Sequence, residues 1–161
     1  MWVKSEYAGE VAVLSTWLSA LMPWSVSFLQ VGDGSAIWLR FLPGRFLFIR
    51  NLGLPSRFDW VWEVPRFVGS SGEQLATYAW LAGVALFLVP FLYSVVYYLD
   101  EQRVEAWRFD PVRTLGGLLV ASGVLLLAAS GLLWANQTTT LPIGTLVQLG
   151  LGGILLSVDR T

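Results

Sequence analysis

The stretch Thr114-Leu115-Gly116-Gly117-Leu118-Leu119-Val120-Ala121 opens a run that closes on Gly152-Gly153-Ile154-Leu155-Leu156-Ser157-Val158, and none of its 45 positions carries a charge. Leu, Val, Ala and Gly fill most of it, and Asn136-Gln137-Thr138-Thr139-Thr140 interrupts it. A helix crosses the hydrocarbon core of a bilayer with about 20 apolar residues at about 1.5 Å each. The run therefore reads as two spans, residues 115–135 and 142–158, joined by a tight polar turn. The rest of the chain has to suit the same solvent.

Composition points the same way. The 161 residues are 55% hydrophobic and 13% charged, with a mean hydropathy of +0.62, whereas soluble domains carry about a quarter charged residues. A single membrane domain over residues 1–161 is the natural division. Ten basic against eleven acidic side chains argue against nucleic acid as a partner, which favours a basic face. The basic residues are nine Arg and one Lys, and with a pI of about 5.3 they suit a halophile. Cysteine and histidine are absent. Disulfides and thiolate chemistry are thereby excluded, and haem, zinc and copper lose their usual ligands. No cofactor or metal is expected.

Ahead of the run, Val11 begins a charge-free segment that Pro23-Trp24 interrupts. A retained membrane helix over residues 7–24 is expected, with Trp24 at the headgroup level. A further span is expected at residues 75–99. Ser70 with Glu73, or Ser71 with Gln74, offers a capping box before it, Pro90 should kink it, and Tyr93, Tyr97 and Tyr98 gather at its far end. Asp100 to Arg113 is then a short charged loop.

Residues 25–69 are as apolar as a span but carry Arg40, Arg45, Arg50, Arg57 and Arg66. If Ala36–Ile49 crossed a bilayer, its two Arg would cost about 5–7 kcal/mol. Its nine large apolar residues would return only about 3–5 kcal/mol. It should not span. Gly32-Asp33-Gly34 and Pro43-Gly44 are turn signals, and Ser25–Val31, Ser35–Phe41 and Arg45–Arg50 have strand length and composition. Phe58-Asp59-Trp60-Val61-Trp62-Glu63-Val64 alternates, with Phe58, Trp60, Trp62 and Val64 on one face and Asp59, Val61 and Glu63 on the other. The expected architecture is mainly α and integral to the membrane. Four transmembrane helices carry a small antiparallel β-rich cap of three or four strands between helices one and two. An irregular interfacial loop is the rival reading of that insert.

Apart from Glu10 in the first turn of the first span, where the helix dipole favours an acid, the expected spans contain no Asp, Glu or His, so intramembrane protease motifs and the ionisable residues that mark proton and solute paths are missing. An enzyme is not expected. Small residues at Gly117, Ala121, Gly144 and Gly152, with Gln148 as an interhelical hydrogen-bonding group, are the candidates for helix packing. Arg40, Arg45 and Arg50, with Trp60 and Trp62, are the candidates for anchoring at lipid headgroups. The expected partners are the lipid bilayer and a membrane protein or a second copy of this chain. The expected role is that of a structural or accessory membrane component. The alternative is a small oligomeric channel or transporter with Gln148, Thr145 and Ser130 on its polar path. Basic residues divide five against five between the two sides. The uncharged turn, and the acceptor pattern Asn136-Gln137-Thr138 within it, place the β-rich insert outside and both termini in the cytoplasm.

The segment Trp2-Val3-Lys4-Ser5-Glu6-Tyr7-Ala8-Gly9-Glu10, running into a span that ends Leu21-Met22-Pro23-Trp24-Ser25-Val26, is followed by Leu39-Arg40-Phe41 and Arg45-Phe46-Leu47-Phe48. In these stretches the chain resembles a family of small uncharacterised multi-pass membrane proteins of halophilic archaea. The resemblance implies a membrane location and a halophilic source, and it supplies no site residues.

Overall fold

Turn chemistry lays out the sheet. The computed structural model describes residues 7–67, 69–106, 109–136 and 139–158. Strand β1 (Ser25–Val31) returns as β2 (Gly34–Arg40) through Gly32-Asp33, where Gly32 takes φ +58°, a conformation glycine adopts without steric cost. Strand β3 (Gly44–Arg50) follows the Pro43 corner, which is closed by the Phe41 N–H donating to the Gly44 carbonyl at 2.8 Å. Strand β4 (Arg57–Trp60) lies beside β3 after a loop that turns at Asn51, φ +56°. A fifth strand, β5 (Thr139–Leu141), pairs antiparallel with Val26–Phe28 of β1. The sheet order is β4-β3-β2-β1-β5.

The helices are α1 (Ala8–Leu21), α2 (Ser71–Leu99), α3 (Glu101–Glu105), α4 (Pro111–Ala135) and α5 (Ile143–Leu156), with a 3-10 turn at Val64–Phe67. Ser70 caps α2 by accepting from the Glu73 N–H at 3.2 Å. Asp110 caps α4 by accepting from the Val112 N–H at 2.9 Å, and Pro111 occupies the first turn, where its missing N–H costs nothing. Helix α2 runs unbroken through Pro90, which lies on its buried side. Helix α4 is central, packed on α2 along one side and α5 along the other, while α1 leans on all three. The core between them includes Phe87, Leu115, Leu119 and Leu155, all fully buried.

This arrangement corrects the expected four spans with a cap confined between the first two helices. Among the described residues there are five helices and a five-stranded antiparallel sheet. Only α2 and α4, with mean hydropathies of 2.1 and 2.2 over their most apolar windows, are long and apolar enough to cross a membrane. Helices α1 and α5 have 14 residues each, about 21 Å against a core of about 30 Å. Pro23 ends α1 and turns the chain into β1, while α5 begins at Ile143, directly after Pro142, and stops at Leu156, two residues short of Val158. Trp24, expected at the headgroups, is buried, and its Nε1–H donates to the Ser19 carbonyl at 2.7 Å. The charged loop at residues 100–113 contains α3, capped by Asp100 through the Arg103 N–H.

Candidate functional site

Because strand side chains alternate, the register divides the sheet into two unlike faces. One face carries Val26, Leu39, Phe46 and Phe58 in a cross-strand row, with Leu141 beyond Val26. Phe28, Ile37 and Phe48 form the next row. Phe28, Phe46, Phe48, Trp60, Leu141 and neighbouring Trp62 are exposed. Their rings are in contact: Phe46 with Phe58 at 4.7 Å, Phe58 with Trp60 at 5.0 Å, and Trp60 stacked on Trp62 at 5.1 Å and 5°. Such pairs contribute about 0.5–1.5 kcal/mol each beyond their burial, so this aromatic surface is ordered before anything docks on it.

The opposite face, turned towards the helices, carries the sheet's buried charged and hydroxyl side chains among apolar ones. Ser25, Arg40, Arg45 and Asp59 form one row across β1 to β4, and Thr140, Ser27, Trp38, Leu47 and Arg57 form the next. Arg40 and Arg45 are each 7% exposed, and Asp59 is 3% exposed. Arg45 Nε donates to Asp59 Oδ2 and Arg57 Nε to Asp59 Oδ1, both at 2.9 Å. Arg40 Nη1 donates to Ser27 Oγ at 2.6 Å, and that hydroxyl is 2.8 Å from Thr140 Oγ1. Burial, reinforced by the adjacent Arg45 charge and partly offset by Glu73, pushes the Arg40 pKa down to about 9. Directly opposed like charges destabilise a sheet. Here Asp59 answers Arg45 and Arg57, while Arg40 has a hydroxyl.

The expected anchoring residues thus part company. Trp60, Trp62 and Arg50 are exposed, and Arg40 and Arg45 point inward. The alternation at residues 58–64 persists as a strand only to Trp60. Asp59 lies on the helix side and the aromatics face outward. Period two says that two faces differ. It does not say which one meets the helices when both carry large apolar side chains.

The packing candidates divide as well. Gly144, Gln148 and Gly152 lie on the buried side of α5, and a Cβ at Gly152 would come 3.0 Å from the Gly116 carbonyl oxygen. Gly117 has nothing within 4 Å of its Cβ direction, and Ala121 is exposed. Gly116 and Gly123, one residue off the expected stripe at Gly117 and six beyond it, make the close approaches to α5. Gln148 is fully buried. Its Nε2 donates to the Leu119 carbonyl at 2.9 Å and to Ser122 Oγ at 2.7 Å, while its Oε1 has no partner. Thr145 is also fully buried and donates to the Trp24 carbonyl at 3.1 Å. Replacing Gln148 by Leu loses two hydrogen bonds but removes one orphaned oxygen, so it should cost about 1 kcal/mol or less. The check is the unfolding midpoint of the purified variant in detergent.

Asn136 gives an Nδ2–H to the Leu132 carbonyl at 2.7 Å and lies against Gly72. The other two residues of its acceptor pattern, Gln137 and Thr138, lie outside the described residues, as do Lys4, Arg108 and Arg160 from the charge comparison. Among the described residues, no group of three acidic side chains is placed to hold a metal ion.

The match to a family model decides the affiliation, since it runs over residues 1–160. The chain belongs to DUF7549, a family of unknown function. No curated protein matches it. The matched length takes in every element described above, so the aromatic outer sheet face and the arginine-bearing inner face both fall within the DUF7549 region.

Proposed function

We propose that this protein is a non-enzymatic membrane component that engages a membrane-protein partner through the aromatic face of its sheet. The observation that carries the reading is that face itself: Phe28, Phe46, Phe48, Trp60 and Trp62 stand exposed at one end of the helices, with Phe46 in ring contact with Phe48 and Trp60 with Trp62. Contiguous exposed aromatic surface of this kind marks interaction sites.

The membrane location is supported by the outward-facing parts of α2 and α4. Their most apolar windows are only 33% and 39% buried, and Leu92, Val96 and Leu99 on α2 and Val124 and Trp134 on α4 are exposed. A core helix of a soluble protein would bury such residues. In this reading α2 and α4 cross the bilayer while α1 and α5 pack beside them. The sheet is outside and the α3 end is cytoplasmic, and the acidic, lysine-poor composition supports a haloarchaeal source. The oligomeric channel reading is not carried forward, because Gln148 and Thr145 face neighbouring backbone rather than an open path.

Two experiments test this. In a chain without cysteine, Trp62→Cys should react with an impermeant maleimide on intact cells, and Glu105→Cys only after permeabilisation. Labelling of both from one side would overturn the crossing. A photo-crosslinking residue at position 48 in native membranes should give a discrete protein adduct that Trp60→Ser removes. Lipid adducts alone would overturn the partner.

A further inference from the structure

A second feature lies at the other end of the helices. Helix α1 enters the sheet through its last residue, Leu21, which leads to β1 at Ser25. Its opposite end, with the end of α2 and the start of α3, borders a cavity of about 320 Å³, large enough for a small ligand. Residues 9, 10, 13, 14 and 17 of α1 line it, a spacing that keeps to one helical face. The aromatic lining has spent its polar hydrogens elsewhere. Trp17 Nε1–H donates to Ser94 Oγ, and the buried Tyr97 O–H donates to Glu105 Oε1, both at 3.2 Å. What Trp17 and Tyr97 have left to offer is ring surface. Tyr98 extends it, with its centroid 5.3 Å from that of Trp17 and the planes 60° apart, so the two rings form adjoining walls rather than a stack. Two carboxylates, Glu10 and Glu101, complete a lining that holds no Lys or Arg. Among the described residues, neither has a cation at ion-pair distance.

We propose that this cavity binds an alkylated ammonium ion that carries a short apolar body. Aromatic faces attract a cation through their quadrupole, and rings set at an angle around it are a common means of holding a quaternary ammonium. The carboxylates supply the opposite charge, while Val13 and Leu14 supply apolar contact for the body. An anion would find no basic side chain to receive it. A bare metal ion would need more oxygen ligands than two carboxylates give, and no group of three acidic side chains is placed to hold one among the described residues. The ammonium group is common to free solutes and to lipid headgroups, and the test separates them. The site does not rest on the partner role of the sheet, which lies at the other end of α1.

The full chain is placed in nanodiscs of an uncharged galactolipid, and butyltrimethylammonium is titrated by calorimetry against empty nanodiscs. Saturable binding is expected, and none for butanol, which has the apolar body without the charge. Tyr98→Leu and Glu101→Gln, both at exposed positions, should each weaken half-saturation by about five- to tenfold, the loss of one cation–π contact or one neighbouring charge. Weaker apparent binding in nanodiscs of a choline-headgroup lipid assigns the ammonium to a lipid, and equal binding assigns it to a free solute; either supports the site. Binding no greater than to empty nanodiscs would overturn the proposal. So would equal binding of butanol, or a titration that both variants leave unchanged.

Discussion

Asp59→Ala should destabilise the protein by about 3–5 kcal/mol, the usual cost of removing one partner from a buried ion pair. Folded domains hold only about 5–15 kcal/mol in reserve, so the variant should unfold at markedly lower denaturant. The reason is the company Asp59 keeps. It is the acceptor for both Arg45 and Arg57, and its loss leaves Arg45 buried beside Arg40 with two cations and no anion in their row. Arg57, whose side chain is 43% exposed, can turn to water, and Arg45 cannot. The double variant Arg45→Met/Asp59→Leu separates the two contributions. It removes the charges together and should recover most of the loss, because replacing a buried pair by apolar groups is often neutral. Denaturant midpoints of the two variants in detergent are the measurement.

Gly144→Leu should cost about 3 kcal/mol and disturb the junction of sheet and helices. A Cβ there overlaps the Pro23 carbonyl oxygen and falls 2.9 Å from its carbon and 3.1 Å from the Trp24 Cα. These are backbone atoms that no rotamer change can move, and forced overpacking costs about 1–3 kcal/mol or more. The same contact caps α5. Pro142 supplies no side-chain cap, and the Gly144 and Thr145 N–H groups instead donate to the Pro23 and Trp24 carbonyls, both at 3.2 Å. Pushing α5 away therefore leaves helix-terminal donors unmet in a buried place. Gly150→Ala, where nothing lies within 4 Å, is the control. It should be neutral or stabilise by up to about 1 kcal/mol through helix propensity.

These effects show what the sequence could and could not convey. Gly32-Asp33-Gly34 and Pro43-Gly44 mark corners because their local backbone needs are specific. The strands between them lie within a residue of where composition places them. The fifth strand was not legible. Thr139-Thr140-Leu141 is a three-residue fragment of a polar turn, and its pairing partner is fixed by tertiary approach alone. The lengths of α1 and α5 differ from expectation for local reasons: apolar composition runs on past Pro23, where α1 has already ended, and past Leu156, where α5 stops. Nor could spacing separate Gly116 and Gly123, which meet α5, from Gly117 and Ala121, which do not. The burial of Arg40 was unreadable because arginine spacing carries no sign of which sheet face is covered.

The pairing of β5 with β1 has a consequence for biogenesis. Ser27 and Thr140, in contact across the finished sheet, are 113 positions apart in the chain. At about 5–20 residues per second of synthesis, the ribosome needs about 6–23 s after making β1 to deliver its last neighbour. Throughout that interval β1, with Phe28 exposed on it, presents one unprotected edge, and such edges template association with other chains. The nascent chain is therefore most vulnerable late in translation. A stall before Thr139 would release a product whose first strand has no native partner on one side.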